Sequence, residues 1–133
     1  MTDDMIVLSR RAIACKGWRW IPRMAGIMGD EEITVLGLTG GATSLNQTEV
    51  RLVIYQHRHH KITVVDDDWA IPDVTDAATV GCLLALVREA WEPYGTFVST
   101  HRYDGGEWSI RTLPIPMFAT EAEALIAALE RAP

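Results

Sequence analysis

An α+β fold, an antiparallel sheet with three helices packed on it, is predicted by three observations. Asp76–Trp91 carries apolar residues at helical spacing between a capping residue and a proline. Three short runs, Ile33–Leu38, Val50–Tyr55 and Lys61–Val65, are rich in strand formers and lie close together. Asp104-Gly105-Gly106 separates two further runs ahead of a closing helix. Strands and helices are not interleaved one by one, which argues against a doubly wound α/β protein.

The first helix is expected at Met5–Lys16. Met5, Leu8, Ala12 and Cys15 recur on one side, with Arg10 and Arg11 on the other. Asp3 and Asp4 suit the positive end of its dipole, and Gly17 is a natural stop. Gly17-Trp-Arg-Trp-Ile21 reads as a short strand ending at Pro22, which has no donor for a ladder. Met28–Glu32 reads as a turn, Ile33–Leu38 as a strand and Thr39–Gln47 as a polar loop that could act as a lid. Val50–Tyr55 and Lys61–Val65 complete an antiparallel meander around the His-rich segment Gln56–His60.

Asp76 is the expected N-cap of the central helix, 76–91, whose core side is Val80, Leu83, Leu84, Val87 and Trp91. Gly81 costs about 1 kcal/mol against alanine in a helix interior, so a close neighbour is expected there. Thr96–Tyr103 and Glu107–Leu113 form a hairpin. Thr120-Glu-Ala-Glu123 is a capping box opening the last helix, about 120–131, with Ala122, Leu125, Ile126 and Leu129 inward.

The 133 residues are expected to form a single domain, 1–133, without linkers or repeats. A net charge of −6 argues against general nucleic-acid binding, which favours a cationic excess. Cys15 and Cys82 are too few for a disulfide framework or a four-thiolate zinc site, and reduced thiols suit the cytoplasm. No apolar run reaches the roughly 18 residues of a membrane span, so no membrane partner is expected.

Three blocks, Lys16-Gly-Trp-Arg-Trp-Ile-Pro22, the Asp76–Trp91 helix with Val87-Arg-Glu-Ala-Trp91, and Thr120-Glu-Ala-Glu-Ala-Leu-Ile-Ala-Ala-Leu-Glu130, resemble a group of small proteins encoded by tailed phages and prophages. Ala77 departs from the proline expected in that group. The resemblance implies an accessory protein that binds a host signal, a host protein or a virion component. Some phage proteins of this size and layout are sponges that sequester cyclic nucleotide or cyclic ADP-ribose signals of bacterial defence.

Five tryptophans are many for this length. Core or interface anchoring is their ordinary use, but an indole can also stack a base, and Trp18, Trp20 and Trp69 flank loops. Arg10, Arg11, Arg19 and Arg23 concentrate positive charge in an acidic chain, and Arg102 and Arg111 lie on the hairpin. Guanidinium groups grip phosphate oxygens in pairs, and a homo-oligomer could assemble them across an interface. His57, His59 and His60 near Asp66–Asp68 are better explained by an exposed turn than by a metal site. His101, Asp104 and Glu107 cluster at a hairpin tip, but no nucleophile motif or phosphate loop accompanies them. The expected function is capture, without cleavage, of a small anionic nucleotide-like ligand by Arg19, Trp20, Arg23, Met24, Arg102 and Arg111. No metal, cofactor or catalytic residue is expected. A protein-interaction module and a small nucleotide hydrolase are the alternatives.

Overall fold

The computed structural model describes residues 2–40 and 50–133. The order is α1 (Asp3–Ile13), β1 (Ala25–Met28), β2 (Glu31–Gly40), β3 (Val50–Gln56), β4 (Lys61–Asp66), β5 (Ile71–Pro72), α2 (Ala77–Trp91), β6 (Thr100–Arg102), β7 (Trp108–Ile110) and α3 (Glu121–Glu130). Strands β1–β5 form one antiparallel sheet, ordered β4-β3-β2-β1-β5, and β6–β7 form a separate hairpin. The α+β class and the meander of β2, β3 and β4 are as the sequence predicts.

Period-two alternation builds the large sheet. Ile33 and Val35 on β2, Leu52 and Ile54 on β3 and Val65 on β4 are all buried on one face. Between Val35 and Gly37 the register shifts by one, so Leu36 is an extra residue and stands 46% exposed.

Helix α2 is shared by two cores. Leu86 enters the sheet cluster with Trp20, Met24, Ile33 and Ile54. Leu83 and Val87 enter a second cluster with Leu8 and Ala12 of α1, Val98 and Ile110 of the hairpin, and α3. Fully burying these three side chains contributes about 1.5–3 kcal/mol each. Asp76 is the N-cap: its carboxylate accepts from the Thr79 amide at 2.9 Å and the Thr79 hydroxyl at 3.0 Å. Thr79, fully buried, in turn accepts from the Ala25 amide at 2.9 Å, so the cap of α2 is fastened to β1.

The ends also differ from expectation in instructive ways. Helix α1 stops at Ile13 with Ala14 as its C-cap, three residues before Gly17. Its N-cap is Thr2, whose hydroxyl accepts from the Met5 amide. Gly17 instead sits against α2 and α3, where a Cβ would come within 3.0 Å of Leu129. Gly17–Ile21 is not a strand. Trp18 and Trp20 meet edge to face at 5.4 Å, and burial of their rings outweighs any ladder this segment could make. Sheet pairing begins later, in Ala25–Met28, because Gly26 lets Trp20 and the Ile71 carbonyl approach. Of the expected lid, Thr39 and Gly40 belong to β2 and residues 41–47 lie outside the described residues.

Helix α3 is capped by Thr120, which accepts from the Glu123 amide at 3.2 Å. Seven of its ten residues are buried, the alanines 124, 127 and 128 along with the expected stripe. Gly81 does not mark a close approach: a Cβ there would meet nothing within 4 Å. Gly81→Ala should therefore stabilise the fold by about 1 kcal/mol. Gly26→Ala, which would place a Cβ 2.9 Å from the Ile71 carbonyl and 3.1 Å from Trp20, should destabilise it by about 1–3 kcal/mol. Urea midpoints of the two variants check both signs.

Candidate functional site

The six residues expected to hold a ligand do not line one recess. Trp20 is 5% exposed and Met24 fully buried, so both are anchors of the sheet core and neither offers a face for stacking. The Arg19 guanidinium lies 2.7 Å from the Glu89 carboxylate on α2. Arg23 is exposed in a turn closed by the Met24 amide and the Ile21 carbonyl, with Pro22 second and Arg23 third at φ +85°, where glycine is usual. Arg102 and Arg111 are exposed on the hairpin. Thr100 faces Ile110, so the register sets Arg111 against the Ser99 end, about 10 Å of strand away from Arg102. Arg23, Arg102 and Arg111 make no ion pair among the described residues.

A different arginine and a different tryptophan share one recess. Arg10 and Trp69 line a cleft of about 610 Å³ with Ile6, Ile13, Ile27 and Ile71. That volume lies within the roughly 300–1,000 Å³ of ligand-binding clefts.

One wall comes from α1, where Ile6, Arg10 and Ile13 recur at i, i+4 and i+7, a second stripe beside the core-facing one. The Ser9 hydroxyl donates to the Pro72 carbonyl at 2.7 Å and holds this wall against β5. The opposite wall is the paired Ile27 and Ile71 of β1 and β5. Trp69 closes a short 3-10 turn, Asp67–Trp69, between β4 and β5. Ala70 beside it is buried and Ile71 is in the ladder, so the indole is held at the rim, 59% exposed.

The charge of this cleft is negative. Asp30, Glu32 and Asp68 line it against the single cation Arg10. Arg58 approaches Asp30 only to 3.8 Å, from an exposed position. A phosphate seated here would meet carboxylates at a repulsion of about 1–4 kcal/mol for each one near 4 Å. A lysine or arginine would meet attraction of the same size.

A second recess of about 420 Å³ lies where α2 ends, lined by Arg88, Glu92 and Gly95–Val98. Its arginine is already committed: Nε donates to the Val98 carbonyl at 2.8 Å and the guanidinium lies 4.9 Å from the Phe97 ring centre. That geometry straps the following segment to the helix.

The histidines go separate ways. His57 Nε2 pairs with the Thr34 hydroxyl at 2.7 Å, His60 Nδ1 with the Tyr55 hydroxyl at 3.1 Å, and His59 faces Glu31 at 3.7 Å. Among the described residues no three His, Cys, Asp or Glu side chains converge as a metal would need. Burial raises the Cys15 and Cys82 thiols above their ordinary range, with Glu130 adding to the effect at Cys15 and Asp76 at Cys82. Neither sulfur is a ready thiolate at neutral pH.

Comparison with known protein families, with curated proteins and with solved structures finds no match to this chain. No helix among the described residues is long and apolar enough to cross a membrane.

The two tryptophans separate experimentally. Trp20→Ala should lose about 3–5 kcal/mol of stability as a buried indole is removed. Trp69→Ala should change stability by less than about 0.5 kcal/mol, as an exposed side chain does. Denaturant unfolding of the two variants gives the comparison.

Proposed function

We propose that this chain is a binding protein that docks a basic, apolar segment of another polypeptide in the Trp69 cleft. The observation that carries this reading is an exposed indole beside four isoleucines, rimmed by Asp30, Glu32 and Asp68 against one arginine. Tryptophan supplies large contact area at low entropic cost and is enriched among residues that dominate binding. The carboxylate rim selects cationic flanks and speeds encounter with them. The resemblance to small phage-encoded proteins supports a host or virion protein as the partner.

Nucleotide-signal capture is the rival. Its anchors Trp20 and Met24 are consumed by the core, and Arg19 is paired with Glu89 on the surface. It would need Arg23, Arg102 and Arg111 to meet across an assembly.

Selection of random displayed peptides on the protein, counter-selected on Trp69→Ala, separates the two. Enrichment of sequences with Lys or Arg flanking aliphatic residues is expected, with binding that weakens in high salt and on Asp68→Lys. Acidic sequences, or none, would overturn the reading. Thermal melts against cyclic nucleotides complete the test. A ligand present at 100 times its dissociation constant adds about 2.7 kcal/mol of stability, and such a shift with no peptide enriched would install nucleotide capture instead.

A further inference from the structure

The two edges of the large sheet are treated differently. The β5 edge is only Ile71–Pro72, carries a proline and is covered by α1 through the Ser9–Pro72 bond. Short length, proline and a covering helix are the usual protections of an edge. The β4 edge has none of them. It is six residues long, Lys61-Ile-Thr-Val-Val-Asp66, pairs with β3 over its whole length, and has no strand on its other side among the described residues. Its interior, Ile62–Val65, holds no charge, proline or bulge.

The exposed side chains continue the pattern. Ile62 is 65% and Val64 44% exposed on the face away from α2, while Val65 is buried on the other face. Charge is divided between the ends: Arg58 and Lys61 lie at the start of the strand and Asp66, Asp67 and Asp68 at its end. Asp66 is already paired with Arg51 at 3.2 Å. Asp67 makes no ion pair among the described residues. A strand with opposite charges at its two ends is complementary to itself when turned antiparallel.

We propose that β4 pairs antiparallel with β4 of a second copy, about a two-fold axis at Thr63, and joins the two sheets into one of ten strands. Opposed residues in an antiparallel ladder share a face, so even-numbered positions must meet even-numbered ones. With Thr63 on the axis, Ile62 faces Val64 of the second copy on the exposed face. Lys61 then faces Val65 of the second copy, beside the end where that strand passes through Asp66 into the turn opened by Asp67, so opposite charges are brought together there. Main-chain hydrogen bonds along the strand supply the affinity, as in other additions of a strand to an open edge. The contact is isologous and closes at two copies. It uses an edge apart from the α1 wall of the Trp69 cleft and stands independently of the docking function.

Sedimentation equilibrium of the full chain over a range of concentrations tests it. The mass is expected to rise with concentration towards twice the 14.8 kDa of one chain. Val64→Lys should remain at one chain mass and melt where the dilute, monomeric wild type melts, since that side chain is exposed in the monomer. Lys61→Asp alone and Asp67→Lys alone should each weaken the dimer at least several-fold, and the double variant should recover it. A single-chain mass at every concentration overturns the proposal. So does a dimer that survives Val64→Lys, or a charge exchange that fails to restore association.

Discussion

Everything in this molecule is arranged around a helix that must satisfy two cores at once. Residues 83 and 87 of α2 point to the cluster with α3, and residue 86 points to the sheet. The Thr79 hydroxyl fixes the rotation and height of the helix, because it bonds both the cap at Asp76 and the first strand at Ala25. A helix turned by one residue would take Leu86 out of the sheet core and leave the half-buried Ala25 amide without its acceptor, a loss of about 1 kcal/mol for that hydrogen bond alone. The position of β1, and through it the pairing of β5 and the cleft above it, follows from this single attachment.

Local signals made much of the fold legible. Asp76 and Thr120 both sit where a cap must sit, and each does accept the amide three residues on. Alternation located β3 and β4 to within a residue of their ends. The failures fall where tertiary contacts outweigh local preference. Gly17–Ile21 has strand-forming residues, yet two indoles packing together decide its path. Ala25–Met28 has weak strand character, yet it is a central strand, because its partners β2 and β5 and the Thr79 bond hold it. Gly81 reads as a contact and is open space, because a costly residue need not have a packing reason.

The site was harder to read than the fold. Trp20 and Arg19 looked alike as candidates because sequence gives residue type without depth. One is sealed under the sheet and the other is matched to Glu89. Trp69 and Arg10 were visible as residues but not as neighbours, being 59 positions apart. The signal that joins them is the second stripe of α1, Ile6, Arg10 and Ile13. It stands out only once Met5, Leu8 and Ala12 have been assigned to the core. A negative rim around that indole shifts the chemistry from phosphates towards cations, which net charge alone could not localise.

The bidentate contact between Arg11 and Glu130, at 2.6 and 3.2 Å, joins the first helix to the last. Beneath it Leu8 and Ala12 share one cluster with Leu125 and Leu129. On the ribosome, α1 emerges long before the partner that completes its hydrophobic surroundings. At roughly 5–20 residues added per second, the nascent chain holds that apolar surface open for several seconds. Helix α3 is therefore the step that closes this cluster, and interruption of synthesis before residue 121 would leave a sticky intermediate that lacks the seven buried residues of α3.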